Sequence, residues 1–176
     1  MKIDVNIQNV HLESSLHCVR YGGSHSDTIV AKLLQKGADP LKSDRKGQTA
    51  LHLACEANDL EAIDHILDAG GSTTIVDAEG LTALHYSFNR YPQVDIITLL
   101  LHHGANMNHT DLEGNSPLSI YLQTPTFEDR TAITRFLLEQ GADPLWKNSD
   151  GQTLAHVTMN NYEAEVGVLE LLDSHG

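Results

Sequence analysis

A chain of 176 residues with a formal net charge of −13 at pH 7 is long enough for one domain and is strongly acidic. Its residues are 40% hydrophobic but only 5% aromatic, so a buried core would consist mostly of Leu, Ile, Val and Ala. The acidic charge disfavours binding to nucleic acid or to an anionic membrane and is compatible with a basic protein partner, although acidity also serves solubility alone.

Cysteine content and hydropathy predict where the chain resides. Cys18 and Cys55 are the only cysteines, and their separation fits no metal site, so we expect small core residues in a reducing compartment. The N-terminal residues contain no signal-peptide run, and the longest apolar cluster, 96–101, is too short to span a bilayer. The expected location is the cytoplasm, the nucleus or both.

Two short phrases recur along the chain in one register. The first phrase runs from an Asp or Asn through a Gly three residues later to a Thr or Ser, and its glycines are Gly47, Gly80, Gly114 and Gly151, separated by 33, 34 and 37 residues. The second phrase ends in a Gly after paired aliphatic residues, at Gly37, Gly70, Gly104 and Gly141. A degenerate earlier copy of the first phrase starts at Ser14. Two phrases at one period indicate tandem structural repeats.

The phrases also contain helix boundary signals. Side-chain oxygens suited to cap a helix recur at Thr49, Thr82, Ser116 and Thr153. Pro117 follows at the first helical position, where its missing N–H costs nothing. The glycines of the second phrase are placed to end a helix in the left-handed conformation. We therefore expect two helices per repeat, and each repeat needs its neighbours to bury enough surface.

These phrases resemble the ankyrin repeat, which has a period of about 33 residues and the phrase Thr-Pro-Leu-His-x-Ala. The resemblance covers about residues 14–172 and implies an all-α helical solenoid, an ankyrin repeat array of about five helix-turn-helix repeats with projecting β-hairpin-like loops. It implies one ankyrin repeat domain over 1–176, with approximate repeats at 8–43 (divergent), 44–76, 77–110, 111–147 and 148–176. An insertion at 123–130 accounts for the longest spacing. Either the array ends naturally here or it belongs to a longer one.

Eleven histidines raise the question of metal or acid–base chemistry. His17, His52, His85 and His156 share one repeat position, where the resemblance implies a hydrogen bond to the Thr hydroxyl and to loop backbone. The sequence contains no HExxH, Cys-x-x-Cys, Gly-x-Ser-x-Gly or phosphate-loop spacing. We therefore expect no catalytic residues, no metal and no cofactor, and a metal-dependent enzyme is the disfavoured alternative.

Asn108 is similar in position to the asparagine that is hydroxylated in some ankyrin proteins. The alternative interpretation is a turn-forming Asn that bonds its own loop.

The resemblance implies a partner surface made of the loop tips and the exposed side of each first helix. Position by position, the predicted contact residues are Arg45, Lys46, Gln48, Glu56, Glu79, Leu81, Asn89, Arg90, Leu112, Glu113, Asn115, Gln123, Asp150 and Asn160. Leu81 and Leu112 are apolar where the framework does not need them. Tyr91, Tyr162 and Trp146 lie beside this surface, and for Tyr91 and Trp146 the alternative is packing between repeats.

The predicted function is a protein–protein interaction module that acts as a monomer. The alternative is a regulatory inhibitor that masks a basic segment of a target such as a transcription factor.

Overall fold

The computed structural model of the chain describes residues 4–88, 92–124, 130–159 and 166–175. Within these ranges the regular structure consists of nine α-helices and isolated antiparallel bridges. The helices span Ser26–Gln35 (α1), Ala50–Glu56 (α2), Leu60–Asp68 (α3), Ala83–Tyr86 (α4), Val94–His102 (α5), Pro117–Gln123 (α6), Thr131–Glu139 (α7), Leu154–Met159 (α8) and Val166–His175 (α9).

The helices form two layers. The inner layer consists of α2, α4, α6 and α8, and each of these helices packs on the next. The outer layer consists of α1, α3, α5, α7 and α9, in which α1, α3 and α5 pack in succession and α7 packs on α9. The layers meet where α2 packs on α3 and α8 on α9. This is the all-α repeat solenoid that the sequence phrases predict.

A column of leucines explains why the repeats stack. In the first four repeats the residue two positions after the cap is a leucine, namely Leu16, Leu51, Leu84 or Leu118, and each of these is at most 1% exposed. The fifth repeat has the exposed Ala155 at this position. Burying such a side chain fully contributes about 1.5–3 kcal/mol. All four leucines belong to one core cluster that extends through the repeats, so much of the stability resides in the contacts between repeats.

The predicted helix boundaries are confirmed by the hydrogen bonds at the caps. Thr49 caps α2, and its amide donates to Nδ1 of His52 at 3.0 Å while the two side chains bond at 2.9 Å. Thr82 and His85 repeat this arrangement at 3.1 and 2.8 Å. Ser116 caps α6 and is followed by Pro117 in the first turn. The glycines that follow the outer helices, Gly37, Gly70, Gly104 and Gly141, all have positive φ between 82 and 92°.

The first repeat departs from the expected helix pair. Residues 15–18 form turns instead of an inner helix, although Leu16 is buried and His17 bonds Ser14 at 2.8 Å as the later histidines bond their caps. The expectation that both cysteines belong to the core is wrong for Cys18, which is exposed on these turns, whereas Cys55 is buried in α2.

The insertion in the fourth repeat is held at its two ends. Residues 125–129 of this insertion lie outside the described ranges. Arg130 is 2% exposed, donates to the carbonyl of Leu122 at 2.5 Å and to that of Thr124, and lies 5.6 Å from the centre of the Tyr121 ring. Its side chain therefore satisfies carbonyls at the C-terminal end of α6, which have no partner within the helix.

Candidate functional site

The loops that precede the inner helices are built alike. In each one a side-chain oxygen accepts two backbone amides, as Oδ1 of Asp44 does from Lys46 and Gln48 at 2.8 and 2.9 Å. Asp77, Asp111 and Asn148 make the same pair of bonds. Asn9 also makes it, so the first repeat has a loop of the same kind. We call the five segments 9–13, 44–48, 77–81, 111–115 and 148–152 the first to fifth tips.

Backbone hydrogen bonds connect each tip to the next. The amides of Arg45, Ala78, Leu112 and Ser149 donate to the carbonyls of His11, Lys46, Glu79 and Glu113, at 3.1, 2.8, 3.0 and 3.3 Å respectively. Bonds of this kind between successive segments resemble the ladder of a β-sheet. The tips therefore form one continuous row with a fixed backbone, and side chains that leave this row have defined positions.

Gly80 cannot be replaced by a larger residue without strain, because its tip closely approaches the next one. Gly80 has φ of +82°, and a Cβ at this position would lie 2.9 Å from the amide nitrogen of Leu112. Both the conformation and the contact exclude a side chain. In the first tip the equivalent residue is Leu12, which adopts a φ of 60° despite its side chain.

Buried histidines form hydrogen bonds with backbone carbonyls of the row. Nε2 of His17 bonds the carbonyl of Gln48 at 2.9 Å, and Nε2 of His52 bonds that of Leu81 at 3.2 Å. Burial lowers the pKa of His52, and it lowers the pKa of His85 to about 4. These two imidazoles are neutral near pH 7, and the structural role that the resemblance implied for this position is confirmed for His17 and His52. His156 is exposed and bonds Thr153 at 2.7 Å.

The structure places most of the predicted contact residues at the surface. The exposed ones are Arg45, Lys46, Glu56, Glu79, Leu112, Glu113, Gln123 and Asp150, and Gln48 and Leu81 are half-buried. Leu112 is 76% exposed, the largest exposed fraction among the large hydrophobic side chains of the described residues. Asn89, Arg90 and Asn160 lie outside the described residues, as do Tyr91 and Tyr162.

Asn115 differs from its expected placement at the surface. It is 8% exposed, and its amide group donates to Asp111 at 3.0 Å and Glu113 at 3.3 Å while accepting from Gln123 at 3.1 Å. All of these partners belong to the same repeat, so Asn115 shapes the fourth tip and joins it to α6. We therefore leave its side chain out of the proposed contact surface.

Trp146 is buried and is therefore not the exposed anchor that was one of its two expected roles. Its side chain is 6% exposed, and the indole N–H donates to the carbonyl of Gly114 in the preceding tip at 2.8 Å. The indole thus ties the segment that leads into the fifth tip to the fourth tip.

Asn108 also joins repeats. Its side chain donates to the carbonyl of Gly141 at 2.8 Å and accepts from the amide of Asp143 at 2.9 Å. Asn6 makes the equivalent two bonds to Gly37 and Asp39, at 2.8 and 2.7 Å. The Asn108 side chain therefore bonds the loop of the next repeat. The alternative interpretation predicted that it would bond its own loop.

A set of inner-helix residues was missed by the sequence reasoning. Tyr86 is half-buried on α4, where its hydroxyl donates to Oδ2 of Asp77 at 2.7 Å and accepts from Nε2 of Gln48 at 2.5 Å. Burial, followed by the hydrogen bond to Asp77, raises the pKa of the Tyr86 hydroxyl above its usual value. Leu53 and Ile120 occupy the same repeat position and are also half-buried. The signal was available in the sequence, since this position directly follows the His of the phrase and has no framework role.

The charge of the row changes sign along its length. The second tip contributes Arg45 and Lys46, whereas the third, fourth and fifth contribute Glu79, Glu113 and Asp150, all exposed. A partner that spans the second to fifth tips therefore meets a basic region first and then an acidic one.

Two other classes of function are metal-dependent chemistry and action within a membrane. No three His, Cys, Asp or Glu side chains converge as a metal site anywhere in the described part of the chain. Among the helices of the described ranges, none has both the length and the hydropathy required to cross a bilayer.

Comparisons with known proteins identify a family and several relatives. A family model described as ankyrin repeats (3 copies) matches residues 15–111. B-cell lymphoma 3 protein homolog of Mus musculus is 40% identical over 133 residues, which cover 73% of this chain and 29% of that protein. Palmitoyltransferase AKR1 of Lachancea kluyveri is 32% identical over 176 residues, 95% of this chain and 23% of that protein. NF-kappa-B inhibitor zeta of Homo sapiens is 36% identical over 126 residues, 67% of this chain and 17% of that protein. The chain spans less than a third of each of these relatives.

Proposed function

Because the chain belongs to the ankyrin-repeat family, we propose that it binds a partner protein across the row of tips and the adjoining side of the inner helices. Ankyrin repeats are protein-interaction modules, and solenoids of stacked repeats present extended surfaces for this purpose. In this proposal the contact residues are the exposed tip positions together with Leu53, Tyr86 and Ile120.

The main support for the proposal is a large apolar side chain that is exposed to solvent on a backbone fixed by hydrogen bonds. Leu112 is 76% exposed, and its amide is bonded to the carbonyl of Glu79, so the side chain cannot fold back by moving the tip. Apolar side chains at the centre of interfaces supply much of their binding energy. A row that is already ordered loses little conformational entropy when a partner docks.

The proposal is tested by Leu112→Ser, with Ile29→Ser as the matched control. Ile29 is 47% exposed on α1, in the outer layer, so its substitution removes a comparable apolar side chain away from the tips. With a partner isolated from the source cell, we expect Leu112→Ser to weaken binding by about 1–3 kcal/mol, and Ile29→Ser to leave it unchanged. Equal affinities for the two variants in isothermal titration would exclude Leu112 from the interface.

A second candidate function is inhibition of a transcription factor by masking a basic segment. One relative is named as an inhibitor of NF-kappa-B, and the present chain is acidic, with exposed carboxylates on its third to fifth tips. We propose a basic segment of a transcription factor as the occupant of this acidic part of the row, and the nucleus or cytoplasm as the place of action.

Salt dependence tests this second function. Raising the salt concentration from about 50 to 500 mM should weaken the complex strongly, because the charges involved are exposed and the screening length falls well below 10 Å. The double change Glu79→Gln with Glu113→Gln should reduce both the affinity and its salt dependence. An affinity that is insensitive to salt would contradict the inhibitor hypothesis but not the proposal that a partner binds at the tips.

The other predictions about function remain proposals. The relative named as a palmitoyltransferase is much longer than the region it shares with this chain, and we propose a binding role for that region, without catalysis or a cofactor. Action as a monomer that does not bind nucleic acid or membrane is likewise proposed from the acidic charge.

A further inference from the structure

A groove runs between two outer helices, on the side of the array away from the inner layer. It lies between α3 and α5 and encloses about 400 Å³. Leu60 of α3 and Leu99 of α5 line it, both half-buried and both packed against the core. Asp95, Thr98 and Leu99 face the groove at the spacing of one helix side, since residues three and four apart are neighbours on a helix. The groove is thus a built feature of two packed helices.

Three carboxylates surround this apolar floor. Glu61 and Asp64 of α3 and Asp95 of α5 are all exposed and all line the groove. Among the residues that the structure describes, none forms a hydrogen bond or an ion pair with these three side chains. His102 of α5 also lines the groove, but no Lys or Arg does.

The helix dipoles explain the positions of only two of the three carboxylates. Glu61 and Asp95 lie in the first turns of α3 and α5, where an acidic side chain is stabilised by the helix dipole. Asp64 lies one turn further on, beyond the range of that effect, and it adds a third negative charge to the same groove. Like charges around a low-polarity floor repel one another, and a cation placed between them relieves the repulsion.

We propose that this groove binds a segment of a partner protein in which an apolar side chain is flanked by Arg or Lys. The apolar side chain would lie on Leu60 and Leu99, and the flanking cations would reach the carboxylates of Asp64 and Asp95. Long basic side chains suit this geometry because their aliphatic stems cover apolar surface while the charge stays at the rim. The surface belongs to the outer layer, so the proposal is independent of the tips and adds a second docking site to the molecule.

The probe for the test is a short synthetic peptide with Leu between two Arg residues in a Gly background, and its control has Gln in place of each Arg. Amide shifts of the isotope-labelled full chain are followed by NMR during titration. We expect shifts at α3 and α5 with the Arg peptide and none with the Gln peptide. Shifts confined to the tips, or equal shifts with both peptides, would overturn the proposal.

Matched charge variants separate local recognition from general attraction. Asp64→Asn with Asp95→Asn removes two charges from the groove, and Glu139→Gln with Glu170→Gln removes two exposed charges from α7 and α9, so both variants have the same net charge. We expect the first pair to weaken peptide binding about 3- to 10-fold and the second to leave it unchanged. Equal losses for the two pairs would show that only net charge matters and would contradict the proposal.

A third variant tests the groove itself. Thr98→Arg places a cation among the three carboxylates and should abolish peptide binding, while thermal unfolding followed by circular dichroism checks that the array remains folded. Unchanged peptide affinity in folded Thr98→Arg protein would refute the site.

Discussion

Acidification should destabilise the array through His85. This side chain is 3% exposed, and burial lowers its pKa from 6.5 to about 4, against smaller opposing effects of nearby carbonyls and Asp111. A group whose neutral form is favoured by folding takes up protons at higher pH in the unfolded state. The unfolded chain therefore binds more protons between about pH 6.5 and 4, and the free energy of unfolding falls as the pH decreases through this window.

The magnitude follows from the size of the pKa shift. One pKa unit corresponds to about 1.4 kcal/mol. At about pH 5 the unfolded His85 is almost fully protonated while the folded one remains mostly neutral, so this residue alone should lower the free energy of unfolding by about 2 kcal/mol. The pKa of His52 is lowered for the same main reason, so it contributes in the same direction.

The assay compares the native chain with His85→Ser. The chain itself shows that serine fits this repeat position, because Ser119 occupies it in the fourth repeat, where its hydroxyl donates to the carbonyl of Ser116 at 2.9 Å. At about pH 7.5, His85 is neutral in both the folded and the unfolded chain. Urea unfolding at this pH therefore measures how much stability is lost when the neutral imidazole is removed. Between about pH 7.5 and pH 5 the native chain should lose about 2 kcal/mol more than the variant. Parallel losses in the two proteins would refute the reasoning.

Three further predictions concern stability. Leu84→Ala, in the middle of the leucine column, should lower the free energy of unfolding by about 2–5 kcal/mol. The repeats on either side should then unfold separately. A loss below about 1 kcal/mol would argue against a continuous core. Gly80→Ala should destabilise more than Gly151→Ala, because both positions have positive φ but only Gly80 has backbone within 4 Å of the new Cβ; equal thermal shifts would contradict the close packing of the tips. Trp146→Phe should cost about 1–2 kcal/mol by removing the bond to Gly114, and an unchanged urea midpoint would contradict that role.

The framework was predictable because it depends on residue types with narrow physical roles. Glycine at a positive φ and Thr before a helix each have few substitutes, so Gly47 and Thr49 are recognisable in a single sequence. In the first repeat these signals weaken. Asn9 replaces the usual Asp and Leu12 replaces Gly, yet the tip forms because an amide oxygen accepts the same two bonds and the leucine tolerates a φ of 60°.

The candidate site was predicted less completely, because exposure depends on side-chain contacts, several of them with residues distant in sequence. Asn115 is buried by partners close to it in sequence, whereas Trp146 bonds the fourth tip, 32 residues earlier in the chain. Neither contact follows from local spacing. The role of Tyr86 depends on Gln48, which lies in the previous repeat. The outer groove depends on α3 and α5 packing side by side, and sequence periodicity did not reveal which carboxylates would share it.

Hydrogen–deuterium exchange of the complex with an isolated partner tests the central claim most directly. The proposed surface predicts slower exchange at the third and fourth tips and along α4 and α6 when the partner is bound, with the largest change near Leu112. Exchange at α7 and α9 should stay the same. Protection confined to the outer helices, with the tips exchanging as in the free chain, would contradict recognition through the row of tips.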